Sequence, residues 1–331
     1  MSAETSAETG VIHDIGYQRY TGRRLGRAQI VRALYWHSLR SAFGLGRGAK
    51  AKIVPVIVFV VICLPAIANA VAVANGNARI TPYDTYTFQL RVVVMIIFAA
   101  AQAPELVSRD LRSHVLPLYF CRPLRRLDYP LAKLAAFITA CLVILDVPLL
   151  LLYLGTIAQA HGGSAIWSQT RALIPGLLVG LMWAAVLAAI GLVLASLSGR
   201  RAYATGAIAI YFFLTWILAG VLIAVTQRSV VHTAIGRAGP GPGAPQPPGG
   251  GGFGPREIHT ITQVPTTAAR LSGLVSPFTT LDGARQWLGG TSPGPVPGVA
   301  GYGALYGAVL LVLFAASVGG LVARYRKAGA A

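Results

Sequence analysis

Between Glu105 and Lys133 the chain interleaves acids and bases with Leu, Val, Tyr and Phe, in the run ELVSRDLRSHVLPLYFCRPLRRLDYPLAK. A short helix built from such a run has an apolar face and a charged face, and is predicted to take a docked partner rather than to be uniformly solvated. Packing beneath the chain's own bundle is the competing reading. A second chemical candidate is Asp146, set in the apolar run Cys141 to Pro148. Ionisable groups at membrane depth are costly and mark pathways or proton relays by default. Asp146 is therefore read either as a carboxylate on a substrate or proton path, or as an acid bonded to a neighbouring helix. Pro148 is expected to kink the helix there and to leave a carbonyl for neighbouring groups to satisfy. The loop Gly44-Leu45-Gly46-Arg47-Gly48-Ala49-Lys50 looks like a phosphate cradle. A Walker A loop, however, needs Gly before its Lys and Ser or Thr after it, and Lys50 lies between Ala49 and Ala51. The six histidines form no HExxH, and the three cysteines, Cys63, Cys121 and Cys141, have no zinc or disulfide spacing. Neither a metal nor a cofactor is expected, and the chain is not expected to be an enzyme.

The elements that must carry these residues follow from composition. Of 331 residues, 55% are hydrophobic and only 11% charged, with a net charge of +18 and a mean hydropathy of +0.63. A soluble domain carries about a quarter of its residues as charges, so the fold class expected is an all-α integral membrane protein. Six stretches reach the roughly 20 apolar residues that cross a bilayer: Ile53 to Ala74, Phe88 to Pro104, Leu131 to Ile157, Leu173 to Leu197, Ala202 to Thr226 and Val299 to Ala323. Alternating them across the membrane puts 20 basic residues on one side and 8 on the other, which predicts both termini in the cytoplasm. The positive charge thus speaks of orientation and not of nucleic acid. A polar, basic segment precedes the first apolar run, so that run is expected to be a retained span and not a cleaved signal.

Four regions result. Residues 1–52 form a cytoplasmic tail and an amphipathic helix, whose apolar face (Ile30, Val31, Leu34, Tyr35, Leu39) is expected to lie in the headgroup region. Residues 53–226 hold five transmembrane helices, with a cytoplasmic coupling segment at 105–130. Residues 227–298 are extracellular: a linker from Gly236 to Arg256, with nine Gly and six Pro in 21 positions, cannot form a helix or packed strand, and two short helices joined at Pro277 follow it. Residues 299–331 are the sixth transmembrane helix and a basic tail.

Taken together, the chain resembles the permease subunits of type-2 ABC exporters, especially those of actinobacteria. In that family an acidic-apolar-apolar-Ser-x-acidic pattern after the second span leads to a Leu-rich turn, Arg-Pro-x-x-Arg, and an aromatic shortly before Lys. Glu105, Ser108, Asp110, Leu116, Arg122-Pro123, Arg126, Tyr129 and Lys133 fill it here. The opening Ile12-His13-Asp14-Ile15-Gly16-Tyr17, the turn Ser198-Gly199-Arg200-Arg201 and the stretch from Ser276-Pro277 to Trp287-Leu288 are similar too. Two departures are Ser113-His114-Val115, where a small Thr-rich turn is often found, and the Gly/Pro linker. The resemblance implies a bacterial plasma-membrane permease dimer with two separate cytosolic ABC ATPases, ATP being bound and hydrolysed on those partners. It implies ATPase coupling through the amphipathic N-terminal helix and the 105–130 segment, with Glu105, Ser108, Arg109, Asp110, Arg112, Arg122 and Arg126 as the coupling residues; Asp146, from its place in the apolar run, is the translocation-path candidate. An ion-coupled secondary transporter is the first alternative and a membrane-embedded enzyme the second.

Overall fold

A run of some twenty apolar residues in lipid must satisfy its backbone polar groups internally, which selects the helix. The computed structural model of the chain describes residues 21–22, 26–75, 91–113, 119, 124–160, 162–236, 256–264, 266–288, 296, 299 and 301–328. Six of its helices are long and apolar enough to cross a membrane. In chain order the helices are α1 (Arg27–Ala42), α2 (Ala49–Ala74), α3 (Arg91–Arg112), α4 (Asp128–Ile157), α5 (Gly163–Leu197), α6 (Arg201–Thr226), α7 (Thr267–Ser272), α8 (Pro277–Trp287) and α9 (Gly303–Ala328). The six spans are α2 to α6 and α9. The chain is therefore an all-α membrane protein, with prolines accommodated inside four spans: Pro55 and Pro65 in α2, Pro104 in α3, Pro148 in α4 and Pro175 in α5.

Helices α3 and α5 are the most enclosed of the spans, and α2, α6 and α9 the least. α4 lies between α2 and α5, α3 packs on α5 and α6, and α9 lies along α5. The exposed faces of α2 (Val56, Val60, Leu64, Ile67, Val71) and α6 (Ile210, Leu214, Ile217, Val221) are wholly apolar, the character of surfaces bathed in lipid. At 1.5 Å per residue the 35 residues of α5 extend about 52 Å, so this helix tilts in a bilayer or projects from it.

Three features differ from the sequence reading. First, Glu105 to Arg112 is not a separate docking helix but the last two turns of α3, and Asp128 to Lys133 opens α4. These charges had marked the end of the apolar run; buried partners from other elements allow the same helix to continue through them. Second, a two-stranded antiparallel ribbon follows α6: β1 (Arg228–Gly236) pairs with β2 (Arg256–Val264), from Arg228 opposite Val264 to Gly236 opposite Arg256. Both runs are rich in Val, Ile and Thr, which favour strands, and they flank the Gly/Pro linker as the arms of a hairpin flank its loop. Third, the two short helices before the last span form as expected, α7 capped by Thr266 and α8 by Ser276 ahead of Pro277, but a 3-10 turn, Gly273–Val275, separates them. Every residue from Pro277 to Arg285 is buried, with the helix packed against the middle of α5 and α6 and the start of α9. Phe278 lies 5.2 Å from the Trp183 ring and 5.3 Å from Phe212, centroid to centroid. Burial inside α8 is balanced by a fully paired charge: Asp282 accepts two bonds from Arg285, at 2.8 and 3.0 Å, and others from Gln286 and the Val296 N–H. Burial pushes the Asp282 carboxyl above the usual range, against the pull of those donors.

The N-terminal motif at residues 12–17, Leu116, Arg122-Pro123 and the linker from 237 to 255 lie outside the described residues.

Candidate functional site

Each span alternates direction, so the C-terminal turns of α3, α5 and α9 meet the N-terminal turns of α2, α4 and α6 at one end of the bundle. α1 lies at this same end, against α4 and α3. Three carboxylates organise it. Glu105, 8% exposed, accepts from Arg47 in the α1–α2 loop and from Arg201 at the start of α6. Asp110 accepts from the Tyr129 hydroxyl and from the Lys133 ammonium, one turn apart on α4. Lys133 also donates to the Leu106 carbonyl. Asp128, the first residue of α4, accepts from Arg27 of α1 at 2.7 and 2.5 Å and from the Arg125 N–H at 2.9 Å.

Neutral contacts tie the remaining helix ends into the same cluster. The buried Ser108 hydroxyl donates to the Ala195 carbonyl of α5 at 2.8 Å, and Arg324 of α9 reaches the Ser196 carbonyl at 3.3 Å. Tyr129 packs between Tyr119 and Tyr325, with ring centroids 5.3 and 5.2 Å away. Tyr35 of α1 donates to Thr139 of α4 at 2.9 Å. The loop leading from α1 into α2 turns through Gly44 and Gly46, both with positive φ. At Gly44 a Cβ would also run into the Ala51 backbone, so this turn requires glycine.

The expected coupling residues therefore divide into two groups. Glu105, Ser108 and Asp110 face the chain's own elements and hold the α1–α2 loop, α3, α4, α5 and α6 together. Arg112 and Arg126, with Arg125, are exposed around the α3–α4 junction. Arg109 lies on the last turns of α3 between these sets, and Arg122 lies outside the described residues. Reasoning from sequence missed Arg27, Arg47, Arg201 and Asp128 as members of the cluster. A local signal existed for one pair only: Tyr129 and Lys133 stand four apart, the spacing that stacks side chains on one helix face.

Asp146 stands apart from this cluster, about 27 Å along α4 from Asp128 at 1.5 Å per residue. It is half-buried and turned toward α5, where a Cβ built on Gly180 would overlap its carboxylate. The missing side chain at Gly180 thus makes the room for a carboxyl at the α4–α5 contact.

No protein-family model matches the chain, and no curated protein matches it. Motif order and the geometry of the charged end are what bear on function.

Proposed function

We propose that the chain is the membrane-spanning permease subunit of an ATP-driven ABC export complex, working as a dimer with two cytosolic ATPase subunits in a bacterial plasma membrane. The charged end faces the cytoplasm in this reading, which also puts both termini there. The observation that carries it is the tie between an amphipathic helix, α1, and the first residue of α4 through Arg27 and Asp128, next to the enclosed Asp110–Lys133 pair that joins α3 to α4, beneath an exposed rim of Arg112, Arg125 and Arg126. A partner gripping that rim displaces α3 and α4 directly, and through Glu105 and Asp128 it carries α1, α2 and α6 along. Charges on the rim set partner orientation and exclude wrong partners more than they add affinity. The permease supplies the path and the lever, and the ATPase supplies hydrolysis.

Affinity purification of the full chain from its native membrane tests this. A Walker-motif ATPase should co-purify, and ATP hydrolysis should be absent from the permease alone. Hydrolysis by the isolated permease, or transport that continues after ATP depletion, would count against it. One observation favours the ion-coupled alternative: Asp146 lodged beside Gly180 at membrane depth, as a proton-linked carboxylate would be. Transport driven by a pH gradient without ATP would select that alternative.

A further inference from the structure

Between α1, the glycine loop and the paired ends of α3 and α4 lies an open cavity of about 1020 Å³. Its wall carries Arg40, Arg47 and Lys133 as cations, with His37 beside them. Glu105 and Asp110 also reach it, but each is already neutralised, Glu105 by two arginines, one of which, Arg201, stands outside the cavity. The remaining field is positive, concentrated in a concave site with low-dielectric walls, where charge attraction is strongest. A second, independent feature is Ser38. It is 1% exposed, it lines the cavity, and its Oγ has no hydrogen-bond partner among the described residues. Leaving a buried hydroxyl unpaired costs about 1–3 kcal/mol, so the position makes physical sense when a ligand oxygen completes it. Arg40 adds an exposed guanidinium one half-turn further along α1, with the fork geometry that suits a phosphate. Gly46 and Arg47 of the glycine loop form the opposite rim.

We propose that this cavity binds a phosphate-bearing ligand, with Arg40 and Ser38 contacting the phosphate and Arg47, which shares Glu105 with Arg201, adding to the surrounding positive field. The site does not depend on the transport reading: it would exist whether the bundle is driven by ATP or by ions. A phosphate can come from a lipid headgroup reaching in beside α1 or from a soluble phosphate compound, and the two sources are separable.

The test uses the purified full chain in an uncharged detergent, titrated separately with short-chain phosphatidylglycerol and with inorganic phosphate, and followed by isothermal calorimetry and native mass spectrometry. One saturable ligand per chain is expected, with Kd raised about tenfold or more in Arg40→Gln and in Ser38→Ala. Arg32→Gln, on α1 but outside this cavity, should leave Kd unchanged. Saturable binding of phosphatidylglycerol alone establishes the site with a lipid source, and saturable binding of inorganic phosphate as well establishes it with the phosphate group sufficient. No saturable binding of either probe, or equal binding by wild type and Arg40→Gln, overturns the proposal. Arg40 is exposed and its replacement leaves the core untouched, so a negative result is not a folding failure.

Discussion

Replacing Asp110 by Asn removes the charge that faces Lys133 and leaves the side-chain shape almost unchanged. Lys133 is 7% exposed, held between the Asp110 carboxylate and the Leu106 carbonyl, so in Asp110→Asn its ammonium loses its counter-charge while water stays excluded. Two unit charges 4 Å apart interact by about 4 kcal/mol at an effective dielectric of 20, and breaking a buried pair from one side costs about 3–5 kcal/mol. Because the Asp110 side chain is 19% exposed, some water screens the pair, and the expected loss falls at the low end, about 3 kcal/mol. In thermal unfolding of the purified chain this corresponds to a fall in Tm of about 5 °C or more. Lys133→Met should cost less, since Asp110 can be hydrated, and Asp110→Asn combined with Lys133→Met should be more stable than Asp110→Asn alone. The measurement is made on the chain by itself, which separates an internal pair from a docking contact. A loss below about 1 kcal/mol, or single effects that simply add in the double variant, would refute the internal role given to Asp110.

Arg126→Glu, on the exposed rim, should leave Tm within about 1 °C, because surface substitutions rarely exceed 0.5 kcal/mol, yet weaken co-purification of the ATPase; unchanged recovery of the partner would remove Arg126 from the docking surface. For topology, a cysteine at Gly250 should react with an impermeant maleimide in intact cells and one at Gly199 should not, and the opposite pattern would invert the orientation. Asp146→Asn should preserve expression and the melting profile but change transport kinetics; identical kinetics would leave the carboxyl with only its structural place beside Gly180. In α8, Asp282→Asn removes the carboxylate that faces Arg285, which is 1% exposed, and is expected to cost about 3 kcal/mol, partly recovered in combination with Arg285→Met; a neutral outcome by chemical or thermal denaturation would show that the charge pair is not what holds that helix.

The six spans were legible because hydropathy over twenty residues is a local property, though their ends shift: α2 starts at Ala49 rather than Ile53 and α4 at Asp128 rather than Leu131, while α9 starts later, at Gly303 rather than Val299. What the sequence concealed is where charged helix ends turn. A run such as Glu105 to Arg112 has the composition of a surface segment, and only its partners decide otherwise. Those partners are remote along the chain: Arg47 is 58 residues from Glu105, and Arg27 is 101 from Asp128. No spacing rule reaches that far. Where the partner is close the pair could be read, as with Asp282 and Arg285, three apart on α8. The ribbon was obscured for a different reason, since the Gly/Pro linker drew attention away from the β-branched runs on either side of it.

That remoteness has a mechanical consequence. Local ion pairs stiffen single helices, whereas pairs joining α1 to α4, and the α1–α2 loop and α6 to α3, tie separate helices to one another at the charged end. Away from that end the polar bonds are mostly shorter in range, as between Asp282 and Arg285 on α8 and between Thr266 and the Thr226 carbonyl, and Asp146 on α4 faces the gap left by Gly180 on α5. Under the proposed permease reading, a force applied at the α3–α4 junction reaches α1 through Asp128 and the α1–α2 loop and α6 through Glu105, so a displacement there is shared among these helices and not confined to one.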